Sequence, residues 1–164
     1  MDFYDRSKYP KIAFLMICGP ILIITFLLFI FYQDIYLFYI LLVTNLILLI
    51  SAWRIYSTAL ALRITDEGIF YQLIPSDKSE QLLPLSSVLS IDLIPLDYTT
   101  KFGGWGKRSR KNDIAYVFND GMFLKIVTST KTYYFSVSDA QKAACASVVQ
   151  KIRENQNNNP ISQN

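Results

Sequence analysis

The 164-residue sequence has no histidine, only two cysteines, and charge on only 18% of its residues. Without histidine there is no Ser-His-Asp or Cys-His nucleophile activation, no imidazole metal ligand and no imidazole pH switch. Cys18 and Cys145 are far apart, without metal-ligand spacing. No disulfide is expected between them, since one lies in an apolar run and the other on a helix face, and both read as small buried hydrophobes. Soluble domains carry roughly 25% charged residues. The deficit here accompanies 52% hydrophobic residues, which rules out a disordered chain, a nucleic-acid packaging tail and a large multidomain enzyme.

The missing charge is concentrated. From Ile12 to Trp53 the only charged side chain is Asp34. The run Ile12–Tyr32 is uncharged and, at about 1.5 Å per residue, reaches about 31 Å, the thickness of a hydrocarbon core. A second run, Ile35–Trp53, comes after only Gln33 and Asp34, so the two form an antiparallel helical hairpin whose backbone is satisfied internally. A cleaved signal peptide is the competing reading, because Arg6, Lys8 and Lys11 precede the first run. The run is longer than a usual apolar signal region, no small-x-small site comes after it, and a second span begins at once. Arg6, Lys8, Lys11, Arg54 and Arg63 flank the open end of the hairpin and Asp34 its turn, so the positive-inside rule predicts two spans with both termini cytoplasmic. Tyr9, Tyr32, Tyr36, Trp53 and Tyr56 fall near the predicted ends, where amphipathic rings favour the interface.

Three residues inside the hairpin carry expectations about packing. Pro20 removes a donor and frees the carbonyl of Met16, and counting outward from the turn places Ser51 opposite to rescue it. Asn45 is the most polar group deep in either span. Its amide is read either as a self-association contact or as a hydrogen bond to a first-helix carbonyl or to Thr25. Two helices with no buried charge pair do not line a transport pathway by themselves.

From about Ala59 the period becomes alternating, with turn signals every eight to ten residues. Strands are predicted near 60–65, 68–74, 80–85, 88–95, 113–119, 122–128 and 131–137. Gly68 and Gly121 are expected to supply positive φ in tight hairpins. One face of strands 113–119 and 131–137 is expected to be core and the other partly solvated. Ser138 reads as an N-cap with Gln141 three residues on, opening an amphipathic helix that carries Cys145, Val148, Val149 and Ile152. The tail from Asn155, rich in Asn and Gln, offers no apolar face and reads as disordered.

Seven strands and then one C-terminal helix is the order of a pleckstrin-homology (PH)-like barrel. The segments Ile64-Thr65-Asp66-Glu67-Gly68-Ile69, Gly103-Gly104-Trp105-Gly106-Lys107-Arg108 and Ala115-Tyr116, with Asp120-Gly121 after them, resemble the bacterial membrane-anchored PH-like proteins over about residues 10–153. In that family one or two spans precede a PH-like domain with a Gly-Trp-Gly-x-Arg loop. The resemblance implies a location in the bacterial cytoplasmic (inner) membrane and a fold, far more firmly than an activity. The expected organisation is a cytoplasmic flank over 1–11, a transmembrane hairpin over 12–56, an all-β PH-like barrel closed by one α-helix over 57–154, and a disordered tail over 155–164.

The main functional candidate is the loop 99–112, with Lys101, Lys107, Arg108, Arg110 and Lys111 beside Phe102 and Trp105 and no acid between them. It reads as a contact for anionic lipid headgroups, as a docking site for an acidic partner, or as a solvated loop whose Trp105 packs over a barrel end. The first hairpin, Thr65-Asp66-Glu67-Gly68, is acidic where inositol-phosphate-binding PH domains are basic, so that ligand is not carried over. From Arg54 onward the net charge is only +3, too little for a nucleic-acid footprint. Asp92, Asp97 and Asp113 are the carboxylates nearest the loop, but turn roles explain each of them as well as catalysis does. No catalytic, cofactor or metal residue is assigned. The expected role is a membrane-tethered interaction or assembly module whose partner is another membrane protein or a second copy; a lipid-headgroup sensor is the alternative and a small membrane enzyme the remote one.

Overall fold

The computed structural model describes residues 2–158. In chain order the elements are β1 (Phe3–Lys8), α1 (Lys11–Ile30), α2 (Ile35–Ser57), β2 (Ala59–Ile64), β3 (Gly68–Ile74), β4 (Gln81–Pro84), β5 (Val88–Pro95), α3 (Tyr98–Phe102), β6 (Gly106–Arg110), β7 (Asp113–Val117), β8 (Met122–Thr128), β9 (Thr132–Ser136) and α4 (Lys142–Asn158). They form two compact units, a helical hairpin over Tyr9–Thr58 and a β unit made of the remaining chain.

In the hairpin, both helices are long and apolar enough to cross a membrane. Only Ala13, Asn45 and Ala52 are buried, while Phe29 is 79% and Tyr36 82% exposed. A pair of helices that is apolar nearly all round and buries so little of itself is compatible with membrane spans. Asp34 ends the turn by accepting from the Leu37 amide at 3.1 Å, which caps α2. Asn45 Nδ2 donates to Thr25 Oγ1 at 2.9 Å and to the Ile21 carbonyl at 3.3 Å, so the amide is used within the hairpin rather than offered outward. Helix α1 runs through Pro20. Ser51 does not serve the Met16 carbonyl. Its short hydroxyl donates to Ile47 one turn back in its own helix, at 2.8 Å.

The β unit holds a four-stranded sheet in the order β1-β2-β3-β4 and a five-stranded sheet in the order β5-β8-β9-β7-β6. All pairings are antiparallel except β7 with β9. The expected closed barrel is therefore corrected to two open sheets: the chain leaves the first at Pro84, and β5 pairs with β8 rather than with β4. The predicted strands recur within two residues at each end. Two strands and α3 were not anticipated, since β1 falls in the segment read as a flank and β6 in the segment read as a loop.

Phe3, Asp5 and Ser7 point inward from β1 and Tyr4, Arg6 and Lys8 outward, so the inward stripe is mostly polar and shows no apolar alternation. Asp5 is 4% exposed yet fully engaged. It accepts from Ser7 Oγ at 3.0 Å, the Ser138 amide at 2.9 Å and Ser138 Oγ at 2.6 Å. Ser138 thus does not cap the C-terminal helix with its own hydroxyl; the first strand's carboxylate holds that segment in place. Helix α4 packs on β5 and β1, burying Cys145, Val148, Val149 and Ile152. It continues to Asn158, past the expected start of the tail, and residues 159–164 lie outside the described residues.

Two glycine expectations divide. Gly121 has φ +104°, but the strands flanking it do not pair, because β9 lies between β7 and β8. Gly68 has no positive φ; a Cβ there would lie 2.6 Å from the Leu83 carbonyl oxygen, so close approach to β4 requires the glycine. The central strands of the second sheet are covered on both faces rather than one. On one face, Tyr116 and Phe135 meet Tyr71 of the first sheet at ring separations of 5.4 and 5.0 Å. On the other, Ala115, Val117, Phe123 and Tyr134 lie beneath Tyr98, Phe102 and Trp105.

This packing leads to two expected outcomes. Asp5→Ala removes the acceptor of the Ser138 amide and hydroxyl and leaves the Ser7 hydroxyl only the Ser136 carbonyl at 3.4 Å, and should destabilise the β unit by about 3 kcal/mol in chemical denaturation of the full chain in detergent. Burial, then the nearby Asp5 charge, pushes the Cys145 thiol up to about 12. The unfolded chain ionises near the ordinary value of 9.0 and the folded chain does not. Stability should therefore be fully present below pH 9 and fall as pH rises toward 12, by about 1–2 kcal/mol between pH 7 and 10.5. Cys145→Ala should flatten that part of the pH dependence in the same denaturation measurement.

Candidate functional site: the α3–β6 edge

Helix α3 is one turn long and is held at both ends. Asp97 caps its start, accepting from Thr99 N at 3.1 Å, Thr100 N at 3.3 Å and Thr100 Oγ1 at 2.6 Å. These bonds, led by the Thr100 hydroxyl, hold the Asp97 carboxyl below its ordinary range. Gly103, at φ +76°, ends the helix in the left-handed region. Arg110 reaches back from β6 to donate to the Lys101 carbonyl at 3.0 Å. Asp120 ties the segment down, accepting from Tyr98 OH at 2.5 Å and Trp105 Nε1 at 3.3 Å. Burial, then this carboxylate, raises the Tyr98 hydroxyl above its ordinary value.

The candidate residues separate into two sets. Lys101, Phe102 and Trp105 hold the segment to the sheet. Lys101 Nζ donates to Tyr134 OH at 2.6 Å, pairs with Asp113 at 3.2 Å and sits 4.0 Å from the Tyr134 ring centre. Burial alone lowers this ammonium, but the Tyr134 and Asp113 hydrogen bonds outweigh it and raise Lys101 above its ordinary value. No acid lies between the five cations in the sequence, and Asp113, two residues beyond the last of them, meets Lys101 only through the fold. Phe102 packs on Tyr134 at 5.3 Å, and Trp105 lies over the same cluster.

Lys107, Arg108, Arg110 and Lys111 form the second set. They are exposed on β6, an edge strand, and on the turn after it, where Lys111 takes φ +52°. Among the described residues none of the four forms an ion pair. Alternation puts Arg108 and Arg110 on one face of β6 and Lys107 on the other, its Nζ 5.4 Å from the Tyr116 ring centre. Between α3 and β6 lies a cleft of about 340 Å³ lined by residues 100–103 and 108–110, none of them acidic.

The carboxylates considered for catalysis are occupied separately. Asp92 pairs with Arg153, Asp97 caps α3, and Asp113 pairs with Lys101. Among the described residues no three acidic or thiol side chains gather where they would hold a metal ion. Thr100 and Asp120 are site residues that sequence reasoning missed, and Asp113 was noted only as a carboxylate near the loop, not as the partner of Lys101. Only the Asp97-x-x-Thr100 capping pattern was available to find any of them.

Replacing Lys101 with Met strands Asp113 and the Tyr134 hydroxyl. It should cost about 1 kcal/mol in denaturation, whereas Lys107→Met should stay within about 0.5 kcal/mol. No family model, curated protein or solved structure matches the chain.

Proposed function

We propose that this chain is a membrane-anchored binding module, with a PH-like β unit held at the cytoplasmic face of a bacterial inner membrane and acting as an interaction or assembly component of a membrane protein complex. The observation that carries the reading is the point of insertion. Lys8 and Ala59 are cross-strand partners in β1 and β2, and the two apolar helices occupy the whole connection between them. The chain therefore leaves and returns at one place, which suits a hairpin with both ends on one side of a bilayer. The basic residues Arg6, Lys8, Lys11, Arg54 and Arg63 gather at those ends, and the positive-inside rule makes that side cytoplasmic. Two largely antiparallel sheets and a C-terminal helix after them support the PH-like reading, while the parallel β7–β9 pair and the added β6 depart from a simple meander. Anionic lipid contact through β6 and the turn after it is the second reading, supported by four cations there that form no ion pair among the described residues. Catalysis has no residue-level support, since the candidate carboxylates serve caps and ion pairs.

The test is photo-crosslinking of the full chain in native membranes, with the crosslinker at the exposed edge positions Leu82, Leu89 or Lys107. A discrete protein adduct, or a dimer of this chain, is the expected result. A wild-type chain that gives only lipid adducts from all three positions overturns the assembly role.

A further inference from the structure

We infer that the cleft between α3 and β6 is a binding site for a phosphate group, with Arg108 and Arg110 as its ligands. This deepens the reading of the chain as a binding module and rests on it. The two arginines lie at i and i+2 on one face of an edge strand, about 7 Å apart along the chain, a spacing that lets two guanidinium forks straddle a tetrahedral oxyanion. Guanidinium is weakly hydrated and presents paired donors, which suits phosphate better than a lone ammonium does.

The cleft is organised for this by four further features. Its one lysine, Lys101, is already neutralised by Asp113, so the uncompensated charge at the cleft belongs to the arginines. Gly103 has nothing within 4 Å of where a Cβ would sit, which leaves the floor open to a ligand at backbone level. One guanidinium nitrogen of the exposed Arg108 lies 3.8 Å from the corresponding position on Gly104, so the side chain leans toward the glycine turn. Arg110 spends one donor on the Lys101 carbonyl, which fixes its direction and leaves the rest of its fork available.

The phosphate comes either from a lipid headgroup or from a soluble phosphate ester, and the test distinguishes these sources. Full-chain protein in maltoside micelles, which contain no phosphate, is titrated with glycerol 3-phosphate by calorimetry at constant ionic strength. In parallel, native mass spectrometry counts phosphatidylglycerol bound against a galactolipid without phosphate. Binding of glycerol 3-phosphate assigns a soluble source, and binding of phosphatidylglycerol alone assigns the lipid. In either arm Arg108→Gln with Arg110→Gln should weaken binding about tenfold or more, and Arg108→Gln alone, which leaves the Lys101 contact intact, by about fivefold. Lys107→Gln with Lys111→Gln removes the same charge outside the cleft and should change affinity by less than about twofold. Absence of binding to either probe, or equal losses in the two double variants, overturns the phosphate site. Neither result decides the crosslinking test, which reads protein neighbours.

Discussion

Because β1 is paired with β2 along six residues, Phe3↔Ile64 through Lys8↔Ala59, the first sheet is complete only after the helical hairpin between them has been made. Joining ends so far apart in sequence carries a loop-closure cost that rises slowly with length. An antiparallel hairpin offsets much of it, because the chain returns to where it left. The same strand supplies Asp5, whose carboxylate holds Ser138 and through it the start of the C-terminal segment. The β unit therefore depends on residues from both sides of the hairpin. A fragment begun after the apolar helices lacks β1, the buried carboxylate and the edge against which α4 packs.

The second sheet explains how an aromatic-rich segment becomes a platform rather than a flexible loop. Strands β7 and β9 bury both faces, one against Tyr71 and the other beneath Tyr98, Phe102 and Trp105. Covering the outer face consumes the aromatic members of the candidate site and Lys101 with them. What is left at the edge is charge without apolar anchor: Lys107, Arg108, Arg110 and Lys111. Trp105, in the middle of the basic segment, is held by Asp120 and by packing on the second sheet.

Much of the fold was legible from local pattern. The apolar runs predict α1 and α2 because length and absence of charge are local properties. Strands β2, β3, β5 and β8 are recognisable by alternation bounded by turn residues. The misses have physical causes. In β1 the inward positions are Phe3, Asp5 and Ser7, so burial is met by hydrogen bonds rather than by apolar side chains. In β6 four of the five residues point to solvent because it is an edge, and Lys-Arg-Ser-Arg reads as loop. Neither strand carries the hydrophobic period on which sequence reading relies.

The amino-acid sequence by itself determined the two apolar helices, the β-rich character of the chain beyond Thr58, the C-terminal amphipathic helix and the concentration of basic residues over 101–111. Each of these rests on composition or on a period of two or 3.6 residues. Only the tertiary structure decided that the sheets stay open, that β7 lies beside β9 rather than β8, that Asp5 reaches Ser138, and that Asp113 neutralises Lys101 while Arg108 and Arg110 line a cleft with no ion-pair partner among the described residues. Those outcomes join residues remote in sequence, and their energies exist only once the strands have chosen their neighbours. The lack of histidine excludes imidazole chemistry, and the engagement of Asp92, Asp97 and Asp113 in ion pairs and a cap leaves Lys107, Arg108, Arg110 and Lys111 without an ion-pair partner among the described residues.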